Sequence, residues 1–145
     1  MQPSLYEQDL YKWAMHSARL LREKRFSEID IVHLAEELES MGKTELRALE
    51  SRLVVLLVHL LKWEFQPAQR SKSWQRTLIE QRKRIARLLE DSPSLRPKLP
   101  ELLADAYESA LRWAADETGL DEADFPQACR YELAQVLDPG FYPTA

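Results

Sequence analysis

Glycine, cysteine and β-branched residues are scarce in this chain of 145 residues. The three glycines, Gly42, Gly119 and Gly140, stand 77 and 21 residues apart, so no glycine-rich phosphate loop exists. A single cysteine, Cys129, excludes an internal disulfide framework, and no histidine stands near it in sequence to activate a thiol nucleophile. Nine valines plus isoleucines against 24 leucines argue against a sheet, because branching at Cβ favours strands and leucine favours helices. Long hydrophobic runs are missing too. The longest nearly apolar stretch, Leu53 to Leu61, is nine residues broken by His59, well short of the roughly 20 that a membrane span requires. A basic stretch followed by an apolar run is absent from the first residues, where Glu7 and Asp9 stand instead, so no secretory signal is expected. With a lone thiol, this points to the cytoplasm. A net charge of −4 excludes a globally basic nucleic-acid binder.

What is present suits helices. The chain is 45% apolar and 30% charged, enough for a core without staples, and its length fits one domain over residues 1–145. The expected architecture is all-α: a compact bundle of four to five helices with an irregular, aromatic C-terminal tail. Ser4 to Glu7 has the form of a capping box, opening a helix to about Lys24 on which Tyr6, Leu10, Trp13, Ser17, Leu20 and Leu21 recur at helical spacing. Asp30 starts a second stretch, with Leu34, Leu38, Met41, Leu46, Leu49, Leu53, Leu56 and Leu60 inward. Gly42 either kinks that helix or divides it. A third helix from about Ser73 to Glu90 carries Trp74, Leu78, Gln81, Ile85, Leu88 and Leu89 on one stripe. A turn-rich loop over Asp91–Pro97 precedes a helix to about Glu117, with Leu99, Leu102, Leu103, Ala106, Ala110, Trp113 and Ala114 inward and Gly119 as a left-handed cap. The four tryptophans, Trp13, Trp63, Trp74 and Trp113, fall about one per helix and are expected in shared core packing rather than in a ligand pocket.

Several words in the chain are family-like. Leu34-Ala35-Glu36-Glu37-Leu38-Glu39-Ser40-Met41-Gly42, Glu50-Ser51-Arg52-Leu53 and His59-Leu60-Leu61-Lys62-Trp63 with Gln66-Pro67 resemble the bacterial family called domain of unknown function 29. So do Arg70-Ser71-Lys72-Ser73-Trp74, Asp91-Ser92-Pro93-Ser94-Leu95-Arg96-Pro97 and Glu117-Thr118-Gly119-Leu120. The resemblance implies a compact all-α bacterial protein and no activity, so it carries over no catalytic or binding residue.

Charge is the most informative pattern. Lys62 to Arg87 holds eight basic and two acidic residues, net +6, whereas residues 1–61 sum to −2 and residues 88–145 to −8. At 100° per residue Lys72, Arg76, Lys83 and Arg87 share one helical face, opposite the apolar stripe. Such a face can neutralise phosphates in series, giving salt-dependent, sequence-blind nucleic-acid binding. It can equally be solvated, or meet the acidic last third of the same or another subunit.

Acid–base and metal chemistry have weaker support. His33, Glu36 and Glu37 share a helical face, but neither the Glu-x-x-His word of di-iron bundles nor the His-Glu-x-x-His word of zinc hydrolases occurs, so no metal site and no cofactor are expected. Asp9 and His16, seven residues apart, can share a face. His59 interrupts the most apolar stretch, with Lys62 one turn on. A buried imidazole needs a partner, and Asp9, Glu37 or Glu45 are candidate carboxylates. His59, Glu37, Asp9 and Lys62 are therefore the candidates for an acid–base centre, against the alternative of a core histidine that fixes helix register. Gln81 on its apolar stripe poses the same choice. The leading expectation is a small interaction or accessory protein that binds a protein partner or a second copy of itself through leftover apolar surface or its opposed charges. Nucleic-acid binding through residues 72–87 comes second, and a metal-dependent or acid–base enzyme around His59 and Glu37 third.

Overall fold

The structure, a computed structural model, describes residues 3–144, and every regular element among them is helical. Six α-helices follow one another: α1 Leu5–Gln8, α2 Leu10–Arg22, α3 Ile31–Phe65, α4 Lys72–Asp91, α5 Leu99–Thr118 and α6 Leu133–Leu137. Short 3-10 turns occupy Phe26–Glu28, Pro67–Gln69, Pro93–Lys98 and Glu122–Asp124. The all-α expectation holds.

The helix ends are set by polar side chains. Ser4 accepts from the Glu7 N–H, as the capping pattern requires, but the first helix does not run on to Lys24. Asp9 is extended, with φ −155° and ψ 90°, and its carboxylate accepts from the Lys12 N–H at 2.9 Å. An aspartate is a better N-cap than an interior helical residue, so it ends α1 and starts α2. Ser71 caps α4 in the same way, one turn before the tryptophan it serves, by accepting from the Trp74 N–H. Gly119, at φ 76°, closes α5 as the left-handed cap.

Helix α3 is continuous over 35 residues, and Gly42 lies inside it without a break. A Cβ placed there would meet nothing within 4 Å, so no close approach demands glycine. The flanking turns outweigh its intrinsic cost of about 1 kcal/mol.

Packing divides the chain into two units, Met1–Thr44 and Glu45–Ala145, and the division falls within α3. In the first unit Trp13, Ser17 and Leu20 are the buried residues of α2. Tyr6 ties α1 to the start of α3: its ring stacks on His33 at 4.4 Å and meets Trp13 edge-on at 4.8 Å, and its hydroxyl donates to Glu37 at 2.7 Å.

The second unit holds the large core. Leu49, Leu53, Leu56, Leu57 and Leu60 of α3 are wholly buried with Leu78 and Ile85 of α4, Ala106, Ala110 and Ala114 of α5, and Val136 of α6. The aromatic tail packs back on this core, as its composition suggests. Phe125 and Tyr131 are buried, Phe125 meets Phe65 edge-on at 5.2 Å, and the Tyr131 hydroxyl reaches Glu64 at 3.2 Å. Tryptophan packing is less uniform than expected. Trp63 and Trp74 are half-buried, but Trp113 is 53% exposed on the outer face of α5, where Arg112 and Asp116 flank it. The small residues Ala110 and Ala114 fill the inward stripe and turn the indole out.

Candidate functional site

Most of the histidines and carboxylates singled out in the sequence are engaged by other side chains or by backbone, and they do not converge on one centre. In the first unit the His33 Nδ1–H donates to Asp30 at 2.6 Å, and the paired carboxylate holds the imidazole above its ordinary range. Asp30 is correspondingly pulled below the usual carboxylate range by the same bond. Glu37 accepts from Tyr6, Glu36 is exposed, and Asp9 is committed to capping α2. His16 receives Arg19 at 3.2 Å. Among the described residues no group of three or more His, Cys, Asp or Glu side chains is placed to hold a metal ion.

In the second unit His59 is half-buried on α3, and its Nδ1–H donates to the Val55 carbonyl one turn back, at 2.9 Å. The partner is backbone rather than a carboxylate, because a helical imidazole can reach the i−4 carbonyl without leaving its own helix. That bond fixes the neutral tautomer with Nε2 as the acceptor. Burial dominates its titration and lowers the pKa, with the Lys62 ammonium adding in the same direction. Lys62 spans outward, pairing with Glu117 of α5 at 3.1 Å and lying over the Trp74 ring at 4.8 Å. Gln81 is half-buried and accepts from Arg52 at 3.3 Å, a bond between α4 and α3.

These environments separate the two histidines in pH. His59, with its pKa lowered by burial, stays neutral below the ordinary value of about 6.5. As pH falls below that value the unfolded chain binds a proton that the native ring refuses, so this term destabilises the fold in acid. His33 has the opposite sign: its pairing with Asp30 favours the charged ring, and the contribution is present below the unfolded value and lost as pH rises through the raised one. A proton NMR titration of the imidazole Cε1 resonances should place His33 above and His59 below 6.5; a reversed order would contradict both assignments.

The basic segment resolves into distinct roles. Lys72, Arg76, Lys83 and Arg87 are all exposed on α4 and enter no ion pair among the described residues. Over fifteen residues they span about 22 Å of helix axis. Arg84 is tied to Glu80 at 2.6 Å. Arg70 donates to the Trp63 carbonyl at 2.7 Å and lies over its indole at 5.1 Å.

Arg82, one of the eight basic residues from Lys62 to Arg87, is 4% exposed. Its Nε donates to the Val136 carbonyl at 2.9 Å, and its Nη2 donates to the Phe141 carbonyl at 2.9 Å and to that of Gln135 at 3.4 Å. Burial presses its pKa down. One helical turn after Leu78, one before Ile85 and two before Leu89, position 82 falls on the inward stripe, and that spacing is the signal the charge concealed.

Comparison with known proteins gives one match. The family model described as "Domain of unknown function DUF29" matches residues 5–142. No curated protein and no solved structure matches the chain. With nearly its whole length matched, the chain belongs to the DUF29 family.

Proposed function

We propose that this member of the DUF29 family is an interaction protein that self-associates through its N-terminal unit. The observation that carries this reading is the apolar surface left uncovered there. Among the described residues nine of the eleven exposed large hydrophobic side chains belong to Met1–Thr44, and Ile31, Leu38 and Met41 are 66%, 58% and 62% exposed. With half-buried Leu34 between them, these residues repeat at intervals of three, four and three along α3. That is the spacing of a helix-pairing seam, in which alternate knobs insert into a facing helix. Ala35 and Gly42 border the seam, and the open space at Gly42 lets a second helix approach closely. Because an isologous pair presents the same seam twice, a second copy of the chain is a self-complementary occupant. In this reading the protein acts in the bacterial cytoplasm, and no helix of the described residues is long and apolar enough to cross a membrane.

Light scattering across micromolar concentrations should give the mass of a dimer, little changed by salt because the contact is apolar. Leu38→Lys should shift it to the monomer, weakening association at least tenfold, with the helix content unchanged. A monomer at every concentration overturns the reading. Dissociation by salt would instead assign the contact to the opposed charges of α4 and α5.

A second reading, nucleic-acid binding, is favoured by the exposed cationic line Lys72, Arg76, Lys83 and Arg87. Four phosphate contacts imply a slope of roughly −3 to −4 in log K against log salt. Fluorescence anisotropy with single-stranded and duplex oligonucleotides measures it, and the Arg76→Glu, Lys83→Glu double variant should abolish binding. Equal binding by that variant removes this reading.

A further inference from the structure

We propose that a recess in the C-terminal unit, walled by Arg82, Arg96, Ile85, Ala86, Leu89 and Leu137, binds a small organic carboxylate. The recess has a volume of about 160 Å³, several times the roughly 30 Å³ that a water molecule takes in the liquid. Two of its six lining residues are arginines, and the other four are aliphatic. The occupant that satisfies both kinds of wall has one anionic head and a short alkyl body.

Arg82 makes the strongest demand for such an anion. It is nine-tenths buried or more, and among the described residues it pairs with no carboxylate. Its three bonded partners are neutral backbone carbonyls, and its remaining nitrogen, Nη1, is buried without a partner among the described residues. A buried cation is ordinarily matched by a full opposite charge, because carbonyl dipoles replace only part of the hydration it gives up. Arg96, on the turn Pro93–Lys98, is exposed and likewise in no ion pair among the described residues. Two cations on one recess repel each other, and a carboxylate taken up there converts that repulsion into attraction. The exposed Arg96 presents the guanidinium fork that matches carboxylate geometry, whereas Arg82, whose Nε and Nη2 are committed to carbonyls, contributes its charge. Phosphate would satisfy the charge but leave Ile85, Ala86, Leu89 and Leu137 against a hydrated dianion.

The test is an NMR titration of the full chain with sodium butyrate, with sodium phosphate and sodium chloride at matched ionic strength as the other arms. Butyrate should produce saturable shifts at the Arg82 Nε–H and the Ala86 amide, with phosphate at least tenfold weaker and chloride without saturation. Arg96→Ala, at an exposed turn position, should weaken butyrate binding about tenfold. Ala86→Leu fills the recess while leaving both guanidinium groups in place, and should abolish binding in a folded protein. Linear, unsaturated shifts with butyrate overturn the proposal. So do equal shifts with phosphate or chloride, or wild-type affinity in Arg96→Ala. None of these outcomes depends on whether the chain is a monomer or a dimer.

Discussion

Replacement of Arg82 by alanine should destabilise the C-terminal unit by about 3 kcal/mol and release its tail. The side chain donates to the carbonyls of Gln135, Val136 and Phe141, which lie 53, 54 and 59 residues along the chain. Hydrogen bonds to a charged group contribute about 1.5–3 kcal/mol each, and a buried carbonyl left without a donor costs about 1–3 kcal/mol. Against these stands the relief of desolvating one cation, so the net falls below their sum. Two of the carbonyls belong to α6, near its C-terminal end, where the helix dipole is negative and a cation is favoured. The ring of Tyr142 lies 5.9 Å from the guanidinium carbon, so loss of the charge also loosens an aromatic contact. Urea unfolding measures the stability, and limited proteolysis should show new cleavage between Phe125 and Tyr142. Arg82→Met separates the contributions: it restores much of the volume but not the donors. If both variants unfold like the parent and the tail stays protected, Arg82 does not hold it.

Leu57→Ala should cost about 3–5 kcal/mol, a loss expected where a wholly buried leucine leaves a cavity that its neighbours cannot collapse into. Leu57 is 0% exposed in the run Leu53–Leu61, where α3 is covered on almost every side by α4, α5 and the tail. For a chain of this length the loss corresponds to a fall in melting temperature of roughly 6–20 °C. Leu38→Ala, on the same helix but 58% exposed, should change the stability of the monomer by less than about 0.5 kcal/mol. Differential scanning calorimetry at low protein concentration compares the two. Equal losses would mean that burial along α3 is not distributed as described.

That contrast marks where the sequence was legible. Periodicity located the long helices, and leucine excess with few β-branched residues gave their class. Gly119 ended α5 because only a residue without Cβ takes φ 76° at no cost. The apolar pattern could not say which leucines are covered. Leu34, Leu38 and Met41 repeat as regularly as Leu53, Leu56 and Leu60, yet Leu38 and Met41 face outward, because covering a stripe requires a neighbour that periodicity does not reveal. Trp113 misled for the same reason: the alanines beside it were the inward residues. Asp9 broke a helix whose apolar spacing ran straight through it, since an extended aspartate caps better than it propagates.

The candidate site was less legible than the fold. The cations at Lys72, Arg76, Lys83 and Arg87 were placed correctly on an outward line, because solvent-facing positions follow from helical geometry alone. Arg82 was only counted among the basic residues of Lys62 to Arg87 and given no face, since its partners are backbone carbonyls that any sequence could supply. His59 found its bond within its own helix, so no search among carboxylates could have identified the partner.

Distance along the chain also sets a timetable for synthesis. The Tyr131 hydroxyl donates to the Leu60 carbonyl 71 residues earlier, and Val136 completes the core that the α3 leucines begin. At about 5–20 residues per second, a ribosome adds Tyr131 roughly 4–14 s after Leu60. Throughout that interval the leucine-rich face of α3 lacks its last cover and is open to chaperones or to aggregation with neighbouring nascent chains.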